Sequence, residues 1–386
     1  MKILQINSVC GIGSTGKICT DIAEELVREG HECKIAYGRG KVPQKYKVYS
    51  KKIGSNFNVI LHGIESRMFD RHGYGSRYAT KKFIKWVKEY DPDIIHLHNI
   101  HGYYINIELL FDYLKDSGKK VVWTLHDCWA FTGHCAYFSY AECEKWKTEC
   151  EKCSQLKEYP KCSFKGKVRG NFRKKKMNFC NVPNLTIVTP SNWLKELVKY
   201  SFLKEYHIEV INNGIDKSIF KMRKELFDEK SKMDYKKIIL GVASTWDRRK
   251  GLEDFLKLNK IISQDYQIVL IGLSQTQIEK LPSDIIGIKK TNNIQELVSW
   301  YSKAYVFINT TYEDNYPTVN LEAQACGTPV ITYRAGGSPE SVPYSNIVEI
   351  GDVCAINEKL TDHLAINEKI TSKKEMIKSY LQLYLL

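Results

Sequence analysis

The segment KILQINSVCGIGSTGKICTD, residues 2–21, joins a short apolar run to a glycine-rich loop and then to an amphipathic stretch. A strand that leads through such a loop directly into a helix is the first unit of a parallel α/β sheet. Gly11, Gly13 and Gly16 have the GxGxxG spacing of dinucleotide sites, and the same loop reads GxxxxGK before Ile18, where a Walker A motif has Ser or Thr. The segment predicts a Rossmann-like domain and leaves its ligand open.

Residues at the ends of later strands narrow that choice. A dinucleotide site needs a carboxylate after the second strand to hold the ribose hydroxyls, whereas Arg39 and Lys41 stand there, which disfavours NAD and leaves NADP open. ATP hydrolysis needs a Walker B acid, and the strand DIIHLH ends in His98. Both motifs share a row of backbone N–H groups at a helix N-terminus that binds phosphate. We therefore expect Gly13 and Gly16 to contact a phosphate group, with packing of helix on strand as the alternative role.

The alternation of apolar runs and amphipathic stretches continues along the chain and restarts near residue 215. It predicts two Rossmann-like α/β domains, residues 1–215 and 216–386, joined by a charged linker at about 215–236 and facing each other across a ligand cleft. The pattern leaves open whether the C-terminal helix packs back on the first domain. The predicted strands are KILQINSV (2–9), CKIAYG (33–38), DIIHLH (93–98), VVWTLH (121–126) and LTIVTPS (185–191), then KIILGVAS (237–244), YQIVLIGL (266–273), AYVFINT (304–310) and TPVITYR (328–334).

Length and composition are those of a soluble globular protein. With 386 residues, 43% of them apolar, the chain can bury a core in each domain, and no apolar run approaches the ~20 residues of a membrane span. The first residues are too short and polar a stretch for a secretory signal, so we expect a cytoplasmic protein. The net charge of +14 favours polyanionic partners or an anionic surface, with a lysine-rich composition as the plainer explanation.

Two carboxylates in the second half have a spacing that suits sugar nucleotides. In SKAYVFINTTYEDNYPTVNLEAQACGTPVITYRAGGSPE, residues 302–340, a loop and a helix follow an apolar strand. Asp314 is expected in the loop, and Glu322 about one turn inside the helix, where its carboxylate can hold a vicinal diol such as a ribose. The backbone N–H groups of 315–319 are expected to meet phosphate or sugar oxygens.

This stretch closely resembles the E-x7-E region of the retaining family 4 glycosyltransferases, which have the GT-B fold. The resemblance covers almost the whole chain through VTPSNWL, VINNGID, STWDRRKG, EAQACGTPVI and AGGSPE, and HDCWAFTGHC is similar to a segment of colanic acid, capsular and exopolysaccharide transferases. The resemblance implies transfer of a sugar from a nucleotide diphosphate sugar, with no obligatory cofactor. It also implies that the donor binds mainly to the second domain and the acceptor to the first.

The resemblance assigns residues of the second domain. Asp314 replaces the first Glu of the family pattern and is expected near the donor sugar hydroxyls, with an N-cap role for the next helix as the alternative. Glu322 is expected at the ribose. In STWDRRKG, Lys250 matches the lysine that neutralises the donor diphosphate, and Arg249 is its expected partner because the usual Gly-Arg pair is absent. Further nucleotide-sugar contacts are expected from Asn315, Tyr316, Pro317 and Thr318.

On the first domain the resemblance points to the end of the strand VVWTLH. His126 matches the histidine that contacts the donor sugar and helps to stabilise oxocarbenium charge, and Asp127 is expected to orient the following loop. His98 lies in HLHNIHG, which resembles an acceptor-side strand end; a metal cluster of its histidines is the weaker interpretation, and core packing is the alternative role of His96. In the family mechanism the leaving phosphate itself accepts the acceptor's proton.

Twelve cysteines are many for a cytoplasmic enzyme, and six of them lie in an insertion at about 128–162. Cys150 and Cys153 have the spacing of a metal knuckle, and Cys135 and Cys143 would complete a structural zinc site. Free thiols are the main alternative, because reducing conditions disfavour disulfides.

A basic segment follows the cysteines. KGKVRGNFRKKK, residues 165–176, carries seven cations and no acid, with Val168 and Phe172 on one predicted helical face. Such a segment suits anionic phospholipid headgroups and a polyprenyl-diphosphate-linked acceptor. Nucleic-acid binding is disfavoured, because no stacking platform or groove-reading module accompanies the cations.

These features predict a retaining hexosyl- or N-acetylhexosaminyltransferase that extends a lipid-linked bacterial surface glycan, such as capsule, exopolysaccharide or O-antigen. We expect it to be peripheral on the inner face of the plasma membrane. A nucleotide-sugar epimerase of the same fold and a non-catalytic nucleotide- or glycan-binding protein are the alternatives. The epimerase would convert donor without acceptor, and the binding protein would bind donor without turnover.

Overall fold

A computed structural model of the chain describes residues 1–164, 166–223, 236–367 and 369–386. These residues form two compact units: Met1–Ile211 with Ile377–Leu386, and Asn212–Met376. Each unit is built on one parallel sheet, as predicted for two Rossmann-like domains. Part of the predicted linker, 224–235, and Lys165 of the basic segment lie outside the described residues.

Seven parallel strands form the sheet of the first unit. They are β1 (Lys2–Asn7), β2 (Glu32–Tyr37), β3 (Ser50–Lys52), β4 (Ile94–Leu97), β5 (Lys120–Thr124), β6 (Leu185–Thr189) and β7 (His207–Val210). Their order in the sheet is β3-β2-β1-β4-β5-β6-β7. The order reverses between β1 and β4, and in doubly wound sheets ligands bind at the carboxyl ends of the strands beside such a reversal.

Six helices of the first unit cover this sheet. They are α1 (Gly13–Arg28), α2 (Asn56–Phe69), α3 (Arg77–Tyr90), α4 (Ile107–Ser117), α5 (Val168–Phe179) and α6 (Asn192–Lys199). Helix α4 shows how the sequence defines them: the Asn106 side chain caps its N-terminus, and Gly118, with a φ of +63°, ends it. Its buried side chains recur at helical spacing, at Ile107, Leu110, Phe111 and Leu114.

The second unit has a six-stranded parallel sheet and its own helices. The strands are β8 (Lys237–Val242), β9 (Tyr266–Ile271), β10 (Ile285–Ile288), β11 (Val306–Asn309), β12 (Val330–Tyr333) and β13 (Ile347–Val348), in the order β10-β9-β8-β11-β12-β13. Its helices are α7 (Leu252–Leu258), α8 (Gln275–Ile278), α9 (Ile294–Lys303), α10 (Thr318–Ala325) and α11 (Val353–Lys359), and α12 (Lys373–Leu385) begins in this unit and ends in the first. Among the described residues, no helix has both the length and the apolar character needed to cross a bilayer.

Both faces of the second sheet are covered. Ile239 and Ile308 pack in one buried cluster, whereas their neighbours Leu240 and Phe307 pack in another. Successive side chains of a strand point to opposite faces, so each strand must be apolar at every position. This requirement explains the continuous apolar runs from which the strands were predicted.

The last helix, α12, supplies part of the first unit. The Tyr384 hydroxyl lies 2.6 Å from Nδ1 of His96 in β4, and the Tyr380 hydroxyl lies 3.0 Å from the Thr124 hydroxyl in β5. His96 is fully buried, and its Nε2 contacts the Thr124 hydroxyl at 2.8 Å. The core position of His96 is therefore confirmed.

Candidate active site

The site of the second unit is formed by the two loops that follow β8 and β11, the neighbouring strands at which the sheet order reverses. After β8 the chain forms one turn of 3-10 helix, Arg248–Lys250, in which the Asp247 carboxylate accepts a hydrogen bond from the Lys250 N–H. After β11 it forms the loop 310–317 and then α10. Both loops leave their strands at the carboxyl edge, where parallel sheets bind ligands.

Gly251 allows the two loops to touch. Its φ of +70° lies in the left-handed region, and a Cβ at this position would lie 2.3 Å from the Thr310 carbonyl oxygen. The Thr310 hydroxyl donates to the Lys250 carbonyl at 3.0 Å, and the backbone N–H of Tyr312 donates to the Arg249 carbonyl at 2.8 Å. The Lys-Gly pair thus fixes the cation-bearing turn against the carboxylate-bearing loop.

These contacts produce a compact charge cluster. Lys250 Nζ lies 2.6 Å from Asp314 Oδ2, and Arg249 Nη1 lies 3.9 Å from the same oxygen and donates to the Glu313 carbonyl at 2.7 Å. Burial raises the pKa of Asp314, but Lys250 and Arg249 lower it more strongly, so that it falls below its ordinary value. Two cations with one carboxylate leave a net positive charge that suits a diphosphate.

The backbone of Asp314 is held by the loop after β12. The Gly337 N–H donates to the Asp314 carbonyl at 2.8 Å, and a Cβ at Gly336 would lie 2.2 Å from that oxygen. The N-cap residue of α10 is Pro317, so the alternative N-cap role for Asp314 is wrong. Asp314 lies three residues before this N-cap, and its carboxylate accepts a hydrogen bond from Lys250 instead.

Glu322 lies one turn inside α10, as predicted. The Tyr301 hydroxyl, on α9, donates to Glu322 Oε2 at 3.1 Å, and the Tyr301 side chain is fully buried. Burial and the neighbouring carboxylate raise the pKa of Tyr301, so the phenol stays protonated and able to donate. Tyr301 therefore fixes the direction of the Glu322 carboxylate.

A buried amide network holds α10 in register. Asn309 of β11 donates to Asn320 Oδ1 at 2.9 Å, and Asn320 donates to the Ser341 hydroxyl at 2.9 Å. Gln324 donates to the backbone carbonyls of Asn320 and Ser341 at 2.9 and 2.8 Å. Because satisfied buried networks are rigid, the helix that carries Glu322 has a fixed position on the sheet.

The other predicted donor contacts lie at the start of α10. The Asn315 N–H donates to Asp314 Oδ1 at 2.9 Å, and the Tyr316 carbonyl accepts from the Asn213 side chain at 3.0 Å. These bonds hold the segment within the protein, and its contacts with a donor stay a prediction. The four residues concerned are Asn315, Tyr316, Pro317 and Thr318, which follow Asp314 directly in the chain.

In the first unit the glycine-rich loop joins β1 to α1. The Gly11 N–H donates to the Gly16 carbonyl at 3.0 Å, and a Cβ at Gly16 would lie 3.0 Å from a Val9 methyl group. Gly16 therefore packs closely on the loop that follows β1, and its contact with a phosphate group stays a prediction. Gly13, with a φ of +64°, starts the helix, and a Cβ there would have no described atom within 4 Å. Space for a ligand thus exists beside the first turn of α1.

Uncharged histidines lie at the carboxyl ends of β4 and β5. His98 contacts Gln5 Oε1 through Nε2 at 3.1 Å and His126 Nε2 through Nδ1 at 3.1 Å. Burial lowers the pKa of His126 to about 4 despite the opposing effect of Asp127, and burial likewise lowers the pKa of His98 well below its ordinary value. Near neutral pH both rings are uncharged and offer hydrogen bonds rather than charge.

Asp127 orients the loop that follows His126, as expected. Its Oδ1 accepts from the Trp129 N–H at 2.9 Å, and its Oδ2 lies 2.8 Å from His101 Nε2. His101 Nδ1 in turn lies 2.9 Å from the Tyr159 hydroxyl. This chain of contacts ties the loop after β5 to the cysteine-rich insertion.

The four cysteines predicted as zinc ligands line one small cavity of the first unit. In the part of the chain that the structure describes, no group of three or more His, Cys, Asp or Glu side chains has metal-binding geometry, and the cysteines form no disulfides. The zinc site therefore stays a prediction. The cysteines are Cys135, Cys143, Cys150 and Cys153.

The apolar face of α5 lies in the core, and binding of the cations of the basic segment, 165–176, to anionic headgroups stays a prediction. Val168 and Phe172 on α5 are only 4% and 3% exposed, because their face packs in the core of the first unit. A helix whose apolar face is already buried has none to insert among lipids. Surface ion pairs also engage its cations: Arg169 with Glu151, and Arg173 with Glu149.

Two supporting residues were not predicted. Tyr301 lies behind Glu322, and Gln5 lies behind His98. Gln5 does leave a signal, because it is a polar residue within the otherwise apolar run of β1 and is fully buried there. Tyr301 occupies an ordinary apolar position of an amphipathic helix, and its role depends on a contact with another helix.

Comparison with known proteins gives matches in both units. Residues 15–218 match the model of Glycosyltransferase Family 4, and residues 236–365 match that of Glycosyl transferases group 1. The chain is 24% identical over 362 residues to the colanic acid biosynthesis glycosyl transferase WcaC of Escherichia coli K12, covering 88% of this chain and 85% of that protein. It is 29% identical over 192 residues to the capsular polysaccharide biosynthesis glycosyltransferase CapM of Staphylococcus aureus, 45% and 50% of the two chains.

A solved structure supports the same architecture. Anabaena HepE, crystallised with UDP and glucose, superposes with a TM-score of 0.67 at 14% identity, covering 99% of each chain. The fold is therefore GT-B, and the protein is a glycosyltransferase. The chain belongs to glycosyltransferase family 4.

Proposed function

We propose that this enzyme transfers a sugar, with retention of anomeric configuration, from a nucleotide diphosphate sugar to a lipid-linked bacterial surface glycan. The observation that carries the proposal is the contact of Lys250 with Asp314 beside the helix that bears Glu322. It combines a cation for a diphosphate with carboxylates for the hydroxyls of a ribose and a sugar. The polysaccharide role rests on the relatives, which are named for colanic acid and capsule synthesis.

On the donor side, Lys250 and Arg249 would bind the diphosphate and stabilise it as the bond to the sugar breaks. Glu322, directed by Tyr301, would hold the ribose diol. HepE was crystallised with UDP and glucose, and a uridine nucleotide is therefore the first donor to test here.

For the retaining reaction we propose a front-face displacement, without a covalent intermediate on Asp314. A carboxylate that attacked the sugar would need an oxygen directed at the anomeric carbon, whereas Asp314 Oδ2 lies 2.6 Å from Lys250 Nζ and Oδ1 accepts from the Asn315 N–H. Asp314 would instead bind sugar hydroxyls, and the departing phosphate would accept the acceptor's proton. His126, uncharged near neutral pH, would bond a further sugar hydroxyl.

For the acceptor we propose a membrane-facing surface on α2, the helix with an unburied apolar stripe. The side chains of this stripe recur at helical spacing and point away from the core. The segment 51–71 around it holds four cations, and of its two acids Asp70 is buried. An apolar stripe flanked by cations suits an anionic lipid surface. Its exposed fractions are 70% for Phe57, 61% for Ile60, 45% for Leu61, 48% for Ile64 and 43% for Met68.

A cationic cavity beside α2 would receive the acceptor's phosphate. It is lined by Lys41, Lys47 and Lys52 together with Tyr37, and it extends to Asn56, the first residue of α2. Lys52 Nζ donates to Asn56 Oδ1 at 2.6 Å. A lipid diphosphate could thus place its charge among the lysines while its lipid stays beside the apolar stripe.

The activity is tested with UDP-, GDP- and CDP-sugars and a polyprenyl-diphosphate-linked acceptor. We expect acceptor-dependent release of nucleoside diphosphate, and NMR of an α-linked donor's product should show an α linkage. Conversion of donor without acceptor would identify an epimerase, and donor binding without turnover would identify a binding protein. A β-linked product would contradict the retaining mechanism.

The membrane surface is tested by flotation with phosphatidylglycerol vesicles. Ile60→Asn combined with Ile64→Asn should abolish association, because both side chains lie in the exposed stripe. Ile261→Asn is the matched control, since Ile261 is 44% exposed in the second unit. Equal flotation of the stripe variant and the control would remove α2 from the proposal.

A further inference from the structure

Four thiols of the cysteine-rich insertion converge in the first unit. Cys135, Cys143, Cys150 and Cys153 line one small cavity together with His134. The thiols of Cys135 and Cys153 share a hydrogen bond, and Cys143 and Cys150 are close enough to interact electrostatically with Cys135. Residues spaced over 19 positions of an irregular segment are brought together here, which is the first requirement of a metal site.

Backbone N–H groups are directed at two of these sulfurs. The Gln155 N–H donates to Cys153 Sγ at 3.4 Å, two residues beyond the second cysteine of the Cys-x2-Cys turn. The backbone of Gly133 hydrogen-bonds Cys150, and a Cβ at Gly133 would lie 2.8 Å from the Cys150 Cβ. Outer hydrogen bonds of this kind orient the ligands of metal sites and favour the thiolate form.

A second observation is a buried nitrogen without a partner. His134 Nδ1 lies 2.6 Å from Asp70 Oδ1, and both side chains are only 1% exposed. Asp70 is fixed in turn, because its Oδ2 accepts from the Lys167 N–H at 2.8 Å. The other ring nitrogen, Nε2, is buried and has no hydrogen-bond partner among the residues that the structure describes. Burial of a ring nitrogen without a hydrogen bond costs free energy. Beside a metal, in contrast, an imidazole held by a carboxylate orients the metal's ligands.

A third observation is the buried amine of Lys175 beside the cavity, whose pKa burial lowers to about 7. Lys175 is 1% exposed, and its Nζ donates to the backbone carbonyls of Trp129 and Thr132 at 2.7 and 3.1 Å. Thr132 itself lines the cavity. A buried ammonium group needs nearby negative charge. Four thiolates around one divalent ion carry a net charge of about −2, which Lys175 would partly offset.

We propose that Cys135, Cys143, Cys150 and Cys153 bind one structural zinc ion, oriented by the His134–Asp70 pair and charge-balanced by Lys175. The four sulfurs would leave their mutual contacts and close into a tetrahedron, since the described side chains do not yet have that geometry. Zinc fits this set because thiolates select it and a four-coordinate structural site needs no open position.

The ion would act on the loop after His126. The Ala136 N–H donates to the Tyr159 carbonyl at 3.3 Å, and the Tyr159 hydroxyl contacts His101, which pairs with Asp127. Ordering the insertion would therefore order the acceptor-side loop. This consequence rests on the proposed transfer reaction, whereas metal binding itself does not.

Metal binding is tested on protein purified without chelators or a histidine tag. We expect about one zinc per chain, released in step with thiol modification by a mercurial. Cys150→Ser combined with Cys153→Ser should lose the zinc, while Cys162→Ser should keep it, because Cys162 Sγ contacts the Phe164 carbonyl instead. Lys175→Met should weaken zinc retention in a chelator titration.

Cobalt replacement keeps the test decisive if the double variant fails to fold. Wild-type protein refolded with Co²⁺ should show thiolate charge-transfer absorption and the visible bands of tetrahedral cobalt. A zinc content near zero, even after reconstitution with zinc, would overturn the proposal, as would octahedral cobalt bands. Acceptor-dependent transfer measured on the same samples separates the outcomes: zinc bound without transfer would count against the proposed function and not against the site.

Discussion

The two units place opposite kinds of polar group at the carboxyl ends of their strands. In the second unit, Lys250, Arg249 and Asp314 form a charged cluster on short loops. In the first unit, His98 and His126 contact each other as uncharged rings next to β4 and β5. The same type of sheet thus carries charged side chains at its carboxyl edge in one unit and uncharged rings in the other.

Under the proposed function, charged and uncharged groups would suit different parts of a nucleotide sugar. A diphosphate that gains charge as it leaves is stabilised most by fixed cations, and sugar hydroxyls are neutral and need only donors and acceptors. Keeping the imidazoles buried and uncharged has a cost, because protonation is then incompatible with the folded state. The first unit should therefore respond to pH, and the second unit should respond to loss of single charges.

The largest expected effect is acid destabilisation of the first unit. Burial lowers the pKa of His62 and His126 to about 4 and of His96 to about 3, and lowers those of His72 and His98 as well. An unfolded histidine titrates near its ordinary pKa, so protons favour the unfolded state below about pH 6.5. Between that pH and its pKa in the folded state, each of these histidines lowers the free energy of unfolding by about 1.4 kcal/mol per pH unit. The free energy of unfolding of the first unit should therefore be several kcal/mol lower at pH 5 than above pH 6.5.

Hydrogen exchange read by mass spectrometry at pH 7.0 and 5.5, corrected for intrinsic rates, measures each unit separately. The second unit, Asn212–Met376, has one histidine, the exposed His363, and should keep its protection over this range. Equal losses in the two units would contradict the assignment of acid sensitivity to buried imidazoles. His126→Gln should reduce the pH slope of the first unit.

Loss of the central cation should have the next largest effect. Lys250→Ala is expected to lower kcat by about 100- to 1000-fold, because the charge matters most as the diphosphate departs, and to change donor affinity much less. Lys260→Ala is the matched control, because Lys260 is an exposed lysine of the second unit that follows α7. Steady-state kinetics with saturating acceptor provide the measurement. Similar kcat values for both variants would remove Lys250 from the site.

The smallest expected effect concerns the carboxylate on α10. Glu322→Ala should weaken nucleoside diphosphate binding by roughly 10- to 100-fold, since bonds from a charged group contribute about 1.5 to 3 kcal/mol. Tyr301→Phe removes only the bond that directs this carboxylate and should cost about fivefold. Calorimetric titration of the three proteins, with the exposed Glu358→Ala as control, checks the order. A larger loss for Tyr301→Phe than for Glu322→Ala would invert the assigned roles.

The sequence predicted nine of the strands, and the four that it missed are all at the edges of the two sheets. β3, β7, β10 and β13 are the outermost strands. An inner strand is covered on both faces and paired on both sides, so it must be a continuous apolar run. An edge strand is short and partly exposed, and segments such as SKK or HIEV leave no such run.

The candidate site divides in the same way. Lys250, Asp314 and Glu322 were predictable, because they lie in short loops whose motifs resemble a known family. Tyr301 was not, because its hydroxyl matters only through the packing of α9 on α10. The burial of the apolar face of α5 was not predicted for a related reason: a helical stripe of Val168 and Phe172 looks the same whether lipid or core covers it.

The tyrosines of α12 set the order in which the molecule can be completed during synthesis. β4 and β5 are synthesised long before Tyr380 and Tyr384, which are the hydrogen-bond partners of Thr124 and His96. Until α12 leaves the exit tunnel, two buried polar side chains lack those partners, at a cost of about 1 to 3 kcal/mol each. The first unit therefore completes its fold only after α12 has been synthesised, and the second unit is free to fold before that.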